Sequence, residues 1–179
     1  MEEAATDSEL VRAVQAGDRA AFEALVRRHE RQIYQLCYRF VGSHEDASEL
    51  AQDAFVRAWR SIAGFKADSA FSTWLYRIAV NVCLNRKALK AAPVDPSADV
   101  HRMASPAEPP DGALLREEEA ARIRRAIRHL PDRQRATLVL RAYHDLPHEQ
   151  IAHVLGTTVG ASKTNFFHAL KNLKRLLDG

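Results

Sequence analysis

The sequence predicts an all-α protein made of two small helical domains joined by a proline-rich, acidic linker. Apolar residues recur at helical spacing on both sides of one central segment, and no stretch shows the strict alternation of a strand. Only 7 Gly and 7 Pro occur in 179 residues, which leaves long stretches available for helix. Five of the prolines fall within residues 91–112. We therefore expect domains at residues 1–90 and 113–179, with 91–112 as the linker.

Four helices are predicted in the first domain, because each apolar stripe is bounded by residues that start or stop helices. Asp18 and Ser43 can cap the second and third helices at their N-termini. Gly17, Gly42 and Gly64 follow the ends of the first three. The helices are expected at about residues 8–16, 18–41, 43–64 and 71–89.

The second domain is predicted to end in a helix-turn-helix. Pro131 and Pro147 can stand in the first turns of helices, where proline is tolerated. Gly156 permits a tight turn, and Thr158 can cap a last helix that runs to about Leu177. The four helices are expected at about residues 114–129, 131–144, 148–155 and 159–177.

The charge distribution favours a phosphate-binding module at the C-terminal end. The net charge is only +3, but residues 113–179 carry 12 Lys and Arg against 7 acids, whereas residues 1–90 are nearly balanced and the linker is acidic. The start of the chain is acidic, unlike a signal peptide, and no apolar run is long enough to span a bilayer. We expect a cytoplasmic protein, with Cys37 and Cys83 packed in the core rather than forming a redox pair.

Residues 65–87, FKADSAFSTWLYRIAVNVCLNRK, combine aromatics, amides and cations in one predicted helix and its preceding loop. A protein that holds bases taken out of a duplex needs flat apolar side chains on which they stack, amides that bond to base edges and cations that bind phosphates. One stripe of this helix is expected in the core: Phe71, Leu75, Ile78, Ala79 and Val82. The other face is expected to contact DNA, a solvated face being the alternative: Trp74, Arg77, Asn81, Asn85 and Arg86.

Two stretches resemble the extracytoplasmic-function (ECF) group of bacterial sigma factors. DASELAQDAFVRAWRSIAGF followed by DSAFSTWLYRIAVNVCLNR resembles sigma region 2, and LPDRQRATLVLRAYHDLPHEQIAHVLGTTVGASKT resembles region 4. The resemblance implies an RNA polymerase sigma factor that recognises the −35 and −10 promoter elements and melts the duplex. Its implied partners are core RNA polymerase (the β′ clamp helices and the β flap), promoter DNA and an anti-sigma factor.

The resemblance also implies roles for particular residues. Three would bind core polymerase: Glu49, Gln52 and Asp53. The loop before the fourth helix would hold a base flipped out of the −10 element: Lys66, Asp68, Ser69, Phe71 and Ser72. The DNA face of that helix would follow the melted strand and the upstream duplex. The last helix would read the −35 element: Thr158, Lys163, Thr164, Asn165, Phe167 and His168.

Several expectations concern the remaining residues. Trp59 is expected in the core, and Phe166, Leu170, Leu173 and Leu177 are expected to form the buried stripe of the last helix. The family commonly has Arg near Asn165 and His168, so phosphate attraction is expected to be weaker here unless Lys171, Lys174 and Arg175 compensate. The acidic linker would either thread the polymerase cleft or act as a spacer.

Catalysis and metal binding are not expected. His144, His148 and His153 straddle a turn and lack Cys or a paired acid at ligand spacing, so surface or capping roles are favoured. The sequence contains no nucleophile–base arrangement, glycine-rich phosphate loop or paired carboxylates, so we expect neither enzyme activity nor a cofactor. Two other functions remain open: a helix-turn-helix regulator that acts without polymerase, and a helical interaction protein that does not touch DNA.

Overall fold

The computed structural model describes residues 5–89 and 113–179, and within these ranges it contains eight α-helices and no strand. The all-α class is therefore confirmed, whereas the linker at 91–112 lies outside the described residues. The helices are α1 (Asp7–Gln15), α2 (Arg19–Val41), α3 (His44–Ser61), α4 (Phe71–Leu89), α5 (Ala113–Arg128), α6 (Asp132–Tyr143), α7 (His148–Leu155) and α8 (Val159–Asp178), with a short 3-10 turn at Ile62–Gly64.

The first helical group, α1 to α4, packs around one core. Its largest fully buried side chains include Leu25 and Ile33 of α2 and Leu75 of α4. Cys37 and Cys83 are both buried and unbridged, which confirms their expected place in the core. Two predicted caps are also confirmed, because the Asp18 carboxylate accepts the amides of Ala20 and Ala21, and the Ser43 hydroxyl accepts that of Asp46.

The second group contains the predicted helix-turn-helix, formed by α7 and α8. Gly156 ends α7 with a φ of 60°, in the left-handed region where glycine is unstrained. Thr158 then caps α8 by accepting the Ala161 amide at 3.1 Å, as expected. Pro131 and Pro147 each stand one residue before their helix rather than in its first turn.

Two expectations about buried residues are wrong. Trp59 is 41% exposed and lies edge-on to Phe22, because the small residues Ala54 and Ala58 form the inner face of α3. Leu170 is 46% exposed. The inner face of α8 passes instead through Ser162 and Ala169, which lets this helix approach its neighbours closely, with larger apolar side chains half-buried on either side.

The two groups pack directly against each other, with α4 against α7 and the C-terminal end of α2 against α5 and α6. The buried guanidinium of Arg135 donates hydrogen bonds to carbonyls at the end of α5 and, across the contact, to the Phe40 carbonyl at 3.2 Å. The Arg39 guanidinium lies 4.1 Å from the centre of the Tyr143 ring. Gly42 has a φ of 73°, and a Cβ added there would lie 1.9 Å from the Arg128 Nη1 atom.

A tyrosine–histidine pair lies at the centre of this contact. The Tyr76 hydroxyl is 3.1 Å from His144 Nδ1 and 3.4 Å from the Gln32 side-chain oxygen. Burial raises the pKa of Tyr76 to about 12. Burial, and then the positive charge of Arg39, lowers the pKa of His144 to about 4. Both groups are therefore neutral at pH 7.

Candidate nucleic-acid and polymerase interfaces

The loop between the 3-10 turn and α4 is fixed at both ends by packing and hydrogen bonds. At its start, the Phe65 ring lies 4.9 Å from the Trp74 ring and 6.1 Å from the Phe71 ring. At its end, the Ala70 carbonyl accepts the Trp74 amide at 3.1 Å. Between these ends Ala67 has a φ of 58°, an uncommon conformation for a residue other than glycine.

The predicted loop residues differ in their exposure to solvent. Lys66 and Asp68 are exposed, whereas Ser69 and Ser72 are half-buried. Phe71 is only 4% exposed and packs near the His29 ring. In this structure Phe71 therefore belongs to the core beside the loop, whereas the polar loop residues are at least partly accessible to solvent.

The predicted DNA face of α4 is present as an exposed polar stripe. Arg77, Asn81 and Asn85 are exposed and follow one another at intervals of four residues, so they lie in a row on one side of the helix. Trp74 continues the row toward the loop, where its half-buried ring packs against Phe65 and Phe71. Two amides and one guanidinium therefore stand next to an aromatic cluster, a combination suited to base edges, phosphates and stacked bases.

Arg86 is placed differently from the rest of that predicted face. Its guanidinium binds the Asp46 carboxylate at 2.5 Å and the Glu49 carboxylate at 2.7 Å, joining α4 to α3. The hydrogen bond that Arg86 donates to Glu49 is the main reason that the pKa of Arg86 is raised. Glu49, predicted to bind polymerase, is thus held by this pair while remaining largely exposed.

A groove of about 620 Å³ runs between α2 and α3 on the first helical group. Apolar and polar side chains both line it: Val26, Glu30, Arg31, Tyr34, Ser48, Ala51, Gln52 and Phe55. Gln52 is the one predicted polymerase-binding residue in this lining. Asp53 lies on the same helix and pairs with Arg57 at 3.1 Å.

The groove was not predicted from the sequence, because Val26 and Phe55 fit the core stripes of their helices. A signal was nevertheless present. Tyr34 and Tyr38 lie one turn apart on α2 and form a second apolar row outside the row that fills the core. A helix with two such rows has more apolar surface than one packed neighbour can cover.

The outer face of α8 is exposed and basic. Lys163, Thr164 and His168 are exposed, Asn165 is half-buried, and the Phe167 ring is 65% exposed. Four cations lie along this helix, and no acidic residue occurs before Asp178: Lys163, Lys171, Lys174 and Arg175. A helix with this face, held after a tight turn by α7, has the form and charge of a major-groove reader.

The three histidines near the turn lie in separate environments. His144 is directed at Tyr76 of α4, whereas His148 Nδ1 lies 2.9 Å from the Ser162 hydroxyl and its ring packs near Phe166. His153 is exposed. Within residues 5–89 and 113–179, no three His, Cys, Asp or Glu side chains are grouped closely enough to hold a metal ion. Among the same residues, no helix is both long and apolar enough to span a membrane.

Family models match both halves of the chain. The model for sigma-70 region 2 matches residues 25–91, and that for sigma-70 region 4 matches residues 120–173. The first match includes the exposed stripe of α4, and the second includes the helix-turn-helix.

Similar proteins extend over nearly the whole chain. The RNA polymerase sigma-H factor of Pseudomonas aeruginosa is 36% identical, with 96% of this chain and 93% of that protein covered. The ECF RNA polymerase sigma factor SigM of Mycobacterium tuberculosis is 38% identical, covering 96% of this chain and 85% of SigM. The structure of CnrH in complex with the cytosolic domain of CnrY has a TM-score of 0.72, 27% identity and coverage of 96% and 97%. The chain therefore belongs to the ECF sigma factors of the sigma-70 family.

Proposed function

We propose that this chain acts as an RNA polymerase sigma factor that reads the −35 element with α8 and captures bases of the −10 element with α4 and its loop. The observation that carries this proposal is the presence of two different nucleic-acid readers on one chain. A basic recognition helix suits duplex DNA, whereas an aromatic cluster beside exposed amides suits unstacked bases. A protein that needs only to bind duplex DNA has no use for the second reader.

On the −35 element, Lys163 and Thr164 would face the groove and its phosphates. Thr158 stands exposed at the N-terminal end of α8, and Asn165, Phe167 and His168 complete the reading set. The positive charge here comes from three lysines and Arg175, spread along the helix. Because each neutralised phosphate releases counterions, binding at this element should depend on salt less steeply than in relatives with Arg near Asn165 and His168, unless Lys171, Lys174 and Arg175 compensate.

On the −10 element, a base leaving the duplex would contact the loop before α4 through Lys66, Asp68, Ser69 and Ser72. Flipping a base costs a few kcal/mol of unstacking, which contacts with the loop must offset. Arg77, Asn81 and Asn85 would hold the strand that continues past it, and the adjacent Trp74 would support a stacked base. Melting is then driven by binding energy and needs no nucleotide hydrolysis by this chain, which we take to have no enzyme activity of its own.

For core polymerase, the groove between α2 and α3 supplies a surface that a helical partner can enter. Its apolar floor and polar rim are typical of a protein-binding site. Gln52 lies in the groove, while Glu49 and Asp53 are held nearby by ion pairs with arginines. We assign the β′ clamp helices to this groove and place the protein in the cytoplasm with its polymerase. CnrH, which is similar to this chain in structure, was solved in complex with the cytosolic domain of another protein, CnrY, and we propose an anti-sigma factor as a further partner of this chain.

In vitro transcription tests this function. Core polymerase is supplied with a library of random promoter sequences, with and without the chain, and the transcription start sites are sequenced. We expect specific starts only when the chain is present, preceded by enriched −35 and −10 motifs. If core polymerase gains no specificity while the chain alone retains particular duplexes, it is a free-standing DNA-binding regulator and the proposal is wrong.

A further inference from the structure

We propose that Gln15, the last residue of α1, is a positioning residue. It would hold the loop between the 3-10 turn and α4 in the shape that receives a flipped base of the −10 element. This inference rests on the proposed function of the loop. Gln15 lies about fifty residues before the loop in the sequence, and it is exposed to solvent. It therefore has no role in the apolar core of α1. Its role follows from where its side-chain amide is directed.

The Gln15 amide group binds the start of the loop at two points. Nε2 donates to the Ile62 carbonyl at 2.9 Å and to the Phe65 carbonyl at 3.0 Å. The Ile62 carbonyl also accepts the Phe65 amide at 3.1 Å, which closes the 3-10 turn. One side chain therefore ties the turn to the first loop residue, and Phe65 in turn contacts the rings of Trp74 and Phe71.

The helix that carries Gln15 is itself firmly held. Its N-terminus has a complete capping box between Thr6 and Glu9. The Asp7 carboxylate binds Arg28 at 2.6 Å and His29 Nε2 at 2.8 Å, both on α2. Val11 and Val14 are buried. Because α1 is fixed to the core at its beginning and along its length, its last residue can act as a rigid support for the loop.

A fixed loop captures a base more tightly than a mobile one, because less conformational entropy is lost on binding. The two hydrogen bonds from Gln15 help to fix the loop before a base arrives. If the loop becomes ordered only when the base enters, the cost of ordering the loop reduces the affinity for the base. We expect loss of the two bonds to weaken binding to a melted −10 region about tenfold.

The test uses holoenzyme assembled from core polymerase and the full chain. The substitution Gln15→Met keeps the length of the side chain and removes both donors, and Gln15→Glu places a negative charge against the two carbonyls. Gln35→Met is the matched control, since Gln35 is an exposed glutamine on α2 outside these hydrogen bonds. Binding is measured on promoters with a pre-melted −10 region in which each non-template base in turn is replaced by an abasic site.

For the wild type we expect one abasic position to weaken binding most, which identifies the captured base. In Gln15→Met, the loss of affinity caused by that abasic position should be smaller than in the wild type. The promoter with all its bases should bind Gln15→Met about tenfold more weakly than the wild type, and Gln15→Glu more weakly still. Binding to a −35 duplex and the thermal midpoint should match those of Gln35→Met. An abasic penalty as large as that of the wild type, or an equal loss on the −35 duplex, would refute the positioning role while leaving base capture intact. If no abasic position affects the wild type, base capture by the loop fails and this inference fails with it.

Discussion

Acidification should loosen the contact between the two helical groups, because that contact buries the neutral imidazole of His144. The ring faces Tyr76 of α4, with Gln32 and Arg39 on α2 and Asp145 on its own segment. An exposed histidine has a pKa near 6.5, whereas that of His144 is about 4 in the packed structure. The packed state therefore keeps its full stability above pH 6.5 and loses it progressively as the pH falls toward 4.

The size of the effect follows from the two pKa values. Between pH 7.5 and pH 5, the loss is about 2 kcal/mol as an upper bound, because the ring is partly reached by solvent. Urea unfolding at the two pH values measures it. His144→Gln, which keeps a polar group that cannot become charged, should lose less stability over the same interval. The reasoning is refuted if NMR shows the His144 ring titrating near 6.5, or if His144→Gln loses stability as steeply as the wild type.

Three further predictions concern single residues. Arg135→Met should lower the free energy of unfolding by about 3 kcal/mol, because carbonyls of α5 and α2 lose a shared buried donor; a change below 1 kcal/mol in urea unfolding would contradict this. Thr158→Ala should cost about 1 kcal/mol by removing the cap of α8, and an unchanged urea midpoint would count against that cap. Asn81→Ala should weaken open-complex formation by about 1–3 kcal/mol without lowering the thermal midpoint, since this side chain is exposed. Equal weakening of −35 binding would exclude a specific role for Asn81 in the −10 element.

The fold was predictable because its determinants are local. Asp18, Ser43 and Thr158 act as caps through neighbouring amides, and Gly156 ends α7 through its own backbone conformation, so each can be read from a few adjacent residues. Trp59 shows the limit of this reasoning. Helical spacing places Trp59 beside the core stripe of α3, but small alanines occupy the inner face of this helix. Which residues next to a stripe become buried depends on the neighbouring helices that pack against it.

The site was less predictable, because its arrangement depends on contacts between distant residues. The exposed row of Arg77, Asn81 and Asn85 is periodic and was expected. The pairing of Arg86 with two carboxylates of α3, and the two bonds from Gln15 to the loop, join residues 37 to 50 positions apart. No pattern in the chain indicates which of its cations will be neutralised or which amide will meet a carbonyl.

The contact between the two helical groups has a geometric consequence for promoter binding. Promoter elements at −35 and −10 lie about 25 base-pair steps apart, or roughly 85 Å along B-form DNA. In this structure α7, which precedes α8, packs directly on α4, so the −35 and −10 readers that we propose on α8 and α4 cannot reach their elements at once. The 22 residues of the linker, 91–112, can reach at most about 80 Å. The groups must therefore separate, and the linker is long enough for nearly the whole span.

This separation can be measured with labels placed on cysteines introduced at Arg57 of α3 and Lys174 of α8, both of which are exposed. Cys37 and Cys83 are buried, so they should react slowly with a labelling reagent, and a chain without the added cysteines serves as the control. We expect one short label-to-label distance in the isolated chain and an increase of tens of ångström in the polymerase–promoter complex. The contacts that must break include the Tyr76–His144 pair, the Arg39–Tyr143 stack, the Arg135 bond to Phe40 and the apolar packing between the two groups. An unchanged distance in the promoter complex would mean that one of the two readers does not contact its element.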